Sequence, residues 1–275
     1  MSASEDILTL PAPPADARIA YGPDPLQFGD LRLPTAASGG GDGPFPLVVL
    51  IHGGYWRNRY DLAYFGHAAA ALTATGFATW NIEDRRVGDA GGGWPGTLLD
   101  VAAATDYART LAAVHPLDLN RVVALGHSAG GQLAAWLAAR RRLAPESGVA
   151  TADPLPLRAI VALAGVLDLR RAWELHLSDD AVRGFLDGTP DQHPDRYAAA
   201  SPAALLPSGV PQTLIHGTAD DSVPYAISRE YVDAARAAGD PVELITLPGA
   251  GHFEVVDPRT DEWRMVPRAA RAAVA

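Results

Sequence analysis

The sequence predicts an α/β protein: a mostly parallel central sheet of about eight strands, helices on both faces, and a small cap insertion. Three observations carry this. Apolar runs such as Leu47–Ile51 and Ala159–Leu163 are unbroken by polar residues, as in strands covered on both faces. Alanine-rich segments of helical propensity alternate with those runs along the chain. At 275 residues, 48% hydrophobic and 20% charged, the chain suits one large globular domain over 1–275.

The elements follow in order. Residues 1–16 are polar and proline-rich and read as a loose arm. Ala17–Tyr21 and Leu26–Leu33 have the short, turn-bounded look of edge strands in a hairpin. Ser38–Pro46 is a glycine-rich connector that precedes a strand, which is the wrong context for a phosphate-binding loop or a dinucleotide fingerprint. Leu47–Ile51 is a buried strand, Asp61–Ala74 a helix stopped at Gly76, and Phe77–Ile82 the next strand. A glycine loop carrying Trp94 leads into a long helix over Thr97–Val114, and another strand begins near Arg121. Ala159–Leu163 is a strand, whereas 169–208 breaks the alternation and reads as a cap or lid. Gln212–Ile215 and Val242–Leu247 are strands either side of a helix over Ile227–Ala238, and the tail from Asp257 is helical.

Bulk chemistry excludes several classes. A formal charge of −10 repels nucleic-acid phosphates and anionic membranes. Every one of the 22 basic residues is arginine, so lysine nucleophiles and Schiff bases are ruled out. With no cysteine there is no disulfide, thiolate or cysteine-zinc chemistry. No apolar run approaches the roughly 20 residues of a bilayer span, and MSASEDILTL lacks the pattern of a secretory signal. The expectation is a cytoplasmic protein acting on a small molecule, with no cofactor, no metal, no nucleic acid and no membrane; a homodimer is left open.

The chemistry centres on Val122–Gly131, VVALGHSAGG. An apolar strand meets a tight turn with Ser128 at its apex and a helix follows. Such a turn needs small residues two before and two after the serine, and it leaves the hydroxyl exposed over the carboxyl edge of the sheet. A serine needs a base, and the base needs a third group to hold its tautomer. For this turn the chain order is serine, acid, histidine, which Ser128, Asp220 and His252 satisfy. His127 adjoins the serine and points away. His52 and His216, before glycines at strand ends, suit the holding of loop carbonyls. Asp220 is preferred over Asp221, which suits a helix start, and Asp168 is the runner-up acid. For the oxyanion, Ala129 N–H is one donor; the loop His52-Gly53-Gly54-Tyr55-Trp56 supplies Gly54 and Tyr55 amides, with Gly53 as the permissive bend. Tyr55, Trp56 and Trp94 are candidate substrate-binding residues.

Over roughly 45–255 the chain resembles serine hydrolases of the α/β-hydrolase fold. HGGYW at 52–56 is similar to the H-G-G-x-W signature of the arylformamidase (kynurenine formamidase) and esterase/lipase group, while GHSAGG and HGTADDSVP also resemble the catalytic domains of prolyl-oligopeptidase-like enzymes. The resemblance implies the triad Ser128, Asp220, His252 and an oxyanion loop at 52–55. The expected function is cleavage of small carboxylic esters through an acyl-enzyme, with N-formyl aryl amine hydrolysis second and an aminopeptidase-like activity third. A non-catalytic binding module on this scaffold would be expected to lack a triad member, and here every position is filled.

Overall fold

A computed structural model describes residues 5–35 and 42–275; much of the expected glycine connector, 36–41, lies outside the described residues. Eight strands form a sheet: β1 (Ala17–Ala20), β2 (Phe28–Arg32), β3 (Phe45–Ile51), β4 (Ala78–Ile82), β5 (Leu117–His127), β6 (Ala159–Leu163), β7 (Gln212–Gly217) and β8 (Val242–Leu247). Their spatial order is β1-β2-β4-β3-β5-β6-β7-β8. β1 and β2 pair antiparallel at one edge, β2 pairs antiparallel with β4, and β3 to β8 run parallel.

Period-2 alternation divides the core. On β3, Leu47, Val49 and Ile51 face a layer that includes α2 (Gly96–Asp106), α4 (Ala129–Ala139) and α8 (Tyr225–Ala237). Val48 and Leu50 face α1 (Gly66–Thr73) and α9 (Met265–Val274) on the other side. All seven residues of β3 are buried, which accounts for its unbroken apolar run. Parallel strands send their following loops to one edge, so the segments after β3, β5, β7 and β8 meet there.

Several expected boundaries shift for identifiable reasons. The helix expected from Asp61 begins at Gly66. Before it, the Glu83 carboxylate accepts from Leu62 N–H, Asn81 Nδ2 donates to Leu62 C=O and Asp61 accepts from Ala63 N–H. Those side chains take the backbone groups that a first helical turn would use. The long helix expected after Trp94 is α2 followed by α3 (Ala108–Ala112), broken at Tyr107. The tail helix begins at Met265 instead of following Asp257 directly.

Two segments flank the site. The described part of the arm at 1–16 is tied down: Glu5–Leu8 forms a 3-10 turn with Ile7 buried. Arg32 donates to Pro13 C=O at 2.6 Å and Leu33 N–H to the Asp16 carboxylate at 2.7 Å. The stretch 169–208 holds α5 (Leu169–Glu174), α6 (Leu177–Leu186) and α7 (Pro194–Ala200). Val182, Phe185 and Leu186 are buried in the core, and the Gln132 and Trp136 side chains donate to the carbonyls of Ala200 and Ala199. It is a packed part of the helical layer and does not line the cavity at Ser128.

Candidate active site

Ser128 links β5 to α4 with φ 57° and ψ −120°, a strained conformation for a non-glycine residue. The turn closes because its flanks lack side chains: a Cβ on Gly126 would lie 1.9 Å from Gly130 C=O, and one on Gly130 2.1 Å from Ile51 C=O. The first residue of α4 is Ala129, whose N–H has no acceptor within the helix and lies at the positive end of the dipole.

Asp220 follows β7 and His252 follows β8. Gly217 allows the two loops to touch, since a Cβ there would lie 2.2 Å from Ala250 C=O. Ala219 N–H donates to that same carbonyl at 2.9 Å. His252 Nδ1 then lies 2.7 Å from Asp220 Oδ2. The carboxylate is buried and fully engaged: Oδ1 accepts from Ser222 and Val223 N–H, and Oδ2 also meets His216 Nε2 at 3.1 Å. Burial opposes its ionisation, but the hydrogen bonds from His216 and His252 outweigh it and hold the group well below the usual carboxylate range. An ionised carboxylate only accepts, so His252 Nδ1 is the donor in that contact.

The loop after β3 completes the rim. Gly54 has φ 121°, so the permissive bend is Gly54 and not Gly53. Gly53 is required for space instead: a Cβ would lie 2.9 Å from both His127 C=O and Ser128 Cβ. Tyr55 and Trp56 continue in the left-handed region at φ 51° and 57°, and the Tyr55 hydroxyl donates to Ser222 C=O, joining this loop to that of Asp220. Gly53 N–H donates to the Tyr64 hydroxyl at 2.6 Å, and that hydroxyl donates to His127 Nδ1 at 2.9 Å. His127 Nε2–H in turn donates to His252 C=O at 3.0 Å. Burial, reinforced by His252, pushes His127 well below its ordinary pKa, so it is neutral and this donor order is self-consistent.

Beneath the loop, His52 Nδ1 meets Gly53 C=O at 2.7 Å and Nε2 meets Glu83 at 3.0 Å. Both ring nitrogens face acceptors, which only the imidazolium satisfies. Burial pulls the group down, yet Glu83 and Asp84 raise it to about 9. Burial pushes Asp84 up to about 7 against His52. His52, Glu83 and Asp84 bring ligand atoms within 4.8 Å of one another. Arg86 lies 3.1 Å from Glu83, and the Glu83 oxygens already serve His52, Leu62 and Asp84, so the cluster is a paired charge network.

Ser128, His252, Gly54 and Tyr55 line one cavity of about 230 Å3, with His127, Ser222, Tyr60, Tyr64, Phe253, Glu5 and Leu8. Three sequence expectations fall outside it. Trp56 is buried, stacked on Phe185 at 4.6 Å and bonded to Gln132. Trp94 N–H is bonded to Phe185 C=O, away from the cavity. Asp168 caps α5 by accepting from Arg171 N–H. Sequence reasoning missed His216 as a second partner of Asp220; the i,i+4 spacing in HGTAD was the available signal. It also missed Tyr64 and Leu8, for which no local motif exists.

The sheet order, the strained serine turn and the loops after β7 and β8 define an α/β hydrolase. The chain belongs to the BD-FAE family, whose profile matches residues 30–234. It is 31% identical over 262 residues to esterase LipC of Mycobacterium tuberculosis, covering 87% of this chain and 60% of LipC. The chain therefore spans a little over half the length of the curated relatives it matches. Among solved structures, a truncated carbohydrate esterase from gut microbiota superposes with a TM-score of 0.78 at 22% identity, covering 96% of this chain and 97% of that one. The propionate-bound Est2 esterase of Thermogutta terrifontis gives 0.74 at 24%, covering 94% and 93%. At those identities the solved structures speak for the fold. Among the described residues no helix is long and apolar enough to cross a membrane.

Proposed function

We propose that the protein is a serine carboxylesterase acting on small, largely neutral esters, with Ser128 as nucleophile, His252 as base and Asp220 as the acid that holds it. The observation that carries this reading is the 2.7 Å contact between His252 Nδ1 and Asp220 Oδ2 in a cavity shared with Ser128. Ser128 Oγ attacks the ester carbonyl carbon as its proton passes to His252 Nε2. The tetrahedral oxyanion is met by Ala129 N–H and by the amides of Gly54 and Tyr55. His52 supports the Gly54 donor, because a peptide whose Gly53 C=O is held by Nδ1–H directs its Gly54 N–H the opposite way. Collapse expels the alcohol, protonated by His252, and water activated by the same imidazole releases the acid. Esterase relatives and the esterase structural neighbours support this reading, as does a net charge of −10 that disfavours anionic substrates. A cytoplasmic setting fits a chain without cysteine.

A fluorophosphonate probe tests the assignment directly. The intact protein is expected to label and Ser128→Ala not to label, with hydrolysis of short p-nitrophenyl esters lost in parallel. Labelling that survives Ser128→Ala, or turnover of N-formylkynurenine far above that of any ester, overturns it.

A further inference from the structure

One wall of the cavity comes from the opposite end of the chain to the catalytic histidine. The 3-10 turn Glu5–Leu8 is closed by Thr9 and Leu10 N–H groups donating to Asp6 C=O, and it seats Ile7 in the interior at 1% exposure. Behind it the chain is clamped along β2 and α1. Asp16 N–H donates to Leu31 C=O, the Asp16 carboxylate accepts from Leu33, and Arg32 holds Pro13 C=O. Ala12 lies against the start of α1, where a Cβ on Gly66 would stand 3.1 Å from its own Cβ. These ties bring Leu8 to the rim that carries His252 and Phe253.

The opposing surfaces cannot readily give way. The Tyr64 hydroxyl bridges Gly53 N–H and His127, and the Tyr55 hydroxyl is spent on Ser222 C=O. Among the described residues that line the cavity, Leu8 is the one aliphatic side chain, and it is only half-buried. The cavity is half open to solvent, and its volume of about 230 Å3 is below the roughly 300–1,000 Å3 of sites that take drug-sized ligands.

We propose that the amino-terminal turn sets the length of substrate chain that fits beside His252, with Leu8 as the specificity-determining residue and short-chain esters as the substrate class. The proposal rests on the esterase reading above. Removing three carbons from a wall opens room for a longer chain, and a methylene in such a pocket changes discrimination by about 10-fold or more. Adding bulk there closes it further.

The test measures kcat/KM for p-nitrophenyl acetate, butyrate and octanoate, and for methyl to octyl esters of a fixed short acid, in wild type, Leu8→Ala and Leu8→Phe. Wild type is expected to favour the shortest members. Leu8→Ala should raise the long-to-short ratio about 10-fold in one of the two series, and Leu8→Phe should lower it. Labelling by a small fluorophosphonate shows that Ser128 is assembled in each variant. Variants that label while both ratios stay at the wild-type value overturn the role of Leu8 and leave the esterase reading standing. A wild type that neither labels nor turns over any ester removes both.

Discussion

His216 and His252 converge on the same oxygen, Oδ2 of Asp220, at 3.1 and 2.7 Å. His216 is itself anchored by Ser228 at 2.7 Å and by Val223 C=O at 3.0 Å. The carboxylate thus reaches His252 already oriented by a second imidazole and two backbone amides. Asp220→Asn is expected to lower kcat by about 10⁴-fold, because an amide can present N–H to Nδ1 and favour the wrong tautomer. His216→Gln should lower kcat by less than Asp220→Asn does, with KM unchanged. Steady-state kinetics across pH separates the two effects, and a KM change without a kcat change in His216→Gln would show that His216 acts on substrate binding instead.

Tyr64→Phe removes one hydroxyl and strands two buried groups, Gly53 N–H and His127 Nδ1. Each unsatisfied group costs about 1–3 kcal/mol. Urea unfolding should show a loss of at least about 1 kcal/mol, accompanied by lower turnover, since Gly53 begins the loop proposed to meet the oxyanion and His127 holds the backbone of His252.

Gly54→Ala places a side chain where φ is 121° and where its Cβ would stand 2.9 Å from Tyr60 Cβ. Displacing one oxyanion donor costs roughly 10²–10³ in kcat. That loss is expected with fluorophosphonate labelling slowed in step, because phosphonylation develops its charge in the same hole.

Trp56→Ala is a prediction about stability. The indole is stacked on Phe185 and bonded to Gln132 in the core, so its removal should cost about 3–5 kcal/mol. Chain-length preference among esters should be unchanged in whatever fraction folds, measured as a ratio of rates on one preparation.

Stability should fall as the solution becomes alkaline. The folded-state pKa of His52 is raised from its ordinary 6.5 to about 9. A raised value stabilises the fold fully below about 6.5, and the contribution is lost as pH rises through about 9. Asp84, raised from 3.8 to about 7, has the same sign over a lower window. Asp220 is shifted the other way: its contribution is present above the ordinary carboxylate value and is lost on acidification toward its depressed value. Thermal melting of wild type from pH 6 to 9.5 should show a decline that is blunted in Glu83→Gln, which removes the charge that raises His52.

Much of the candidate site is local chemistry and was legible in the residues. The serine turn announces itself because only glycine fits at 126 and 130, a constraint written within five consecutive positions. Asp220 and His252 follow strands whose apolar runs mark them, so their arrival at one edge follows from parallel topology. Boundaries were less legible where side chains from afar compete for backbone groups, as Glu83 and Asn81 do at Leu62.

The sequence by itself determined the sheet, its helical layers and the order of serine, acid and imidazole, because these depend on periodicity and on steric rules that act between near neighbours. The tertiary structure alone decided that Trp56 and the apolar side chains of 169–208 pack into the core, that Asp220 contacts two histidines, and that Leu8 lines the cavity. Those outcomes join residues up to more than two hundred positions apart. They turn on which side chain occupies a given volume, a competition that no local pattern records.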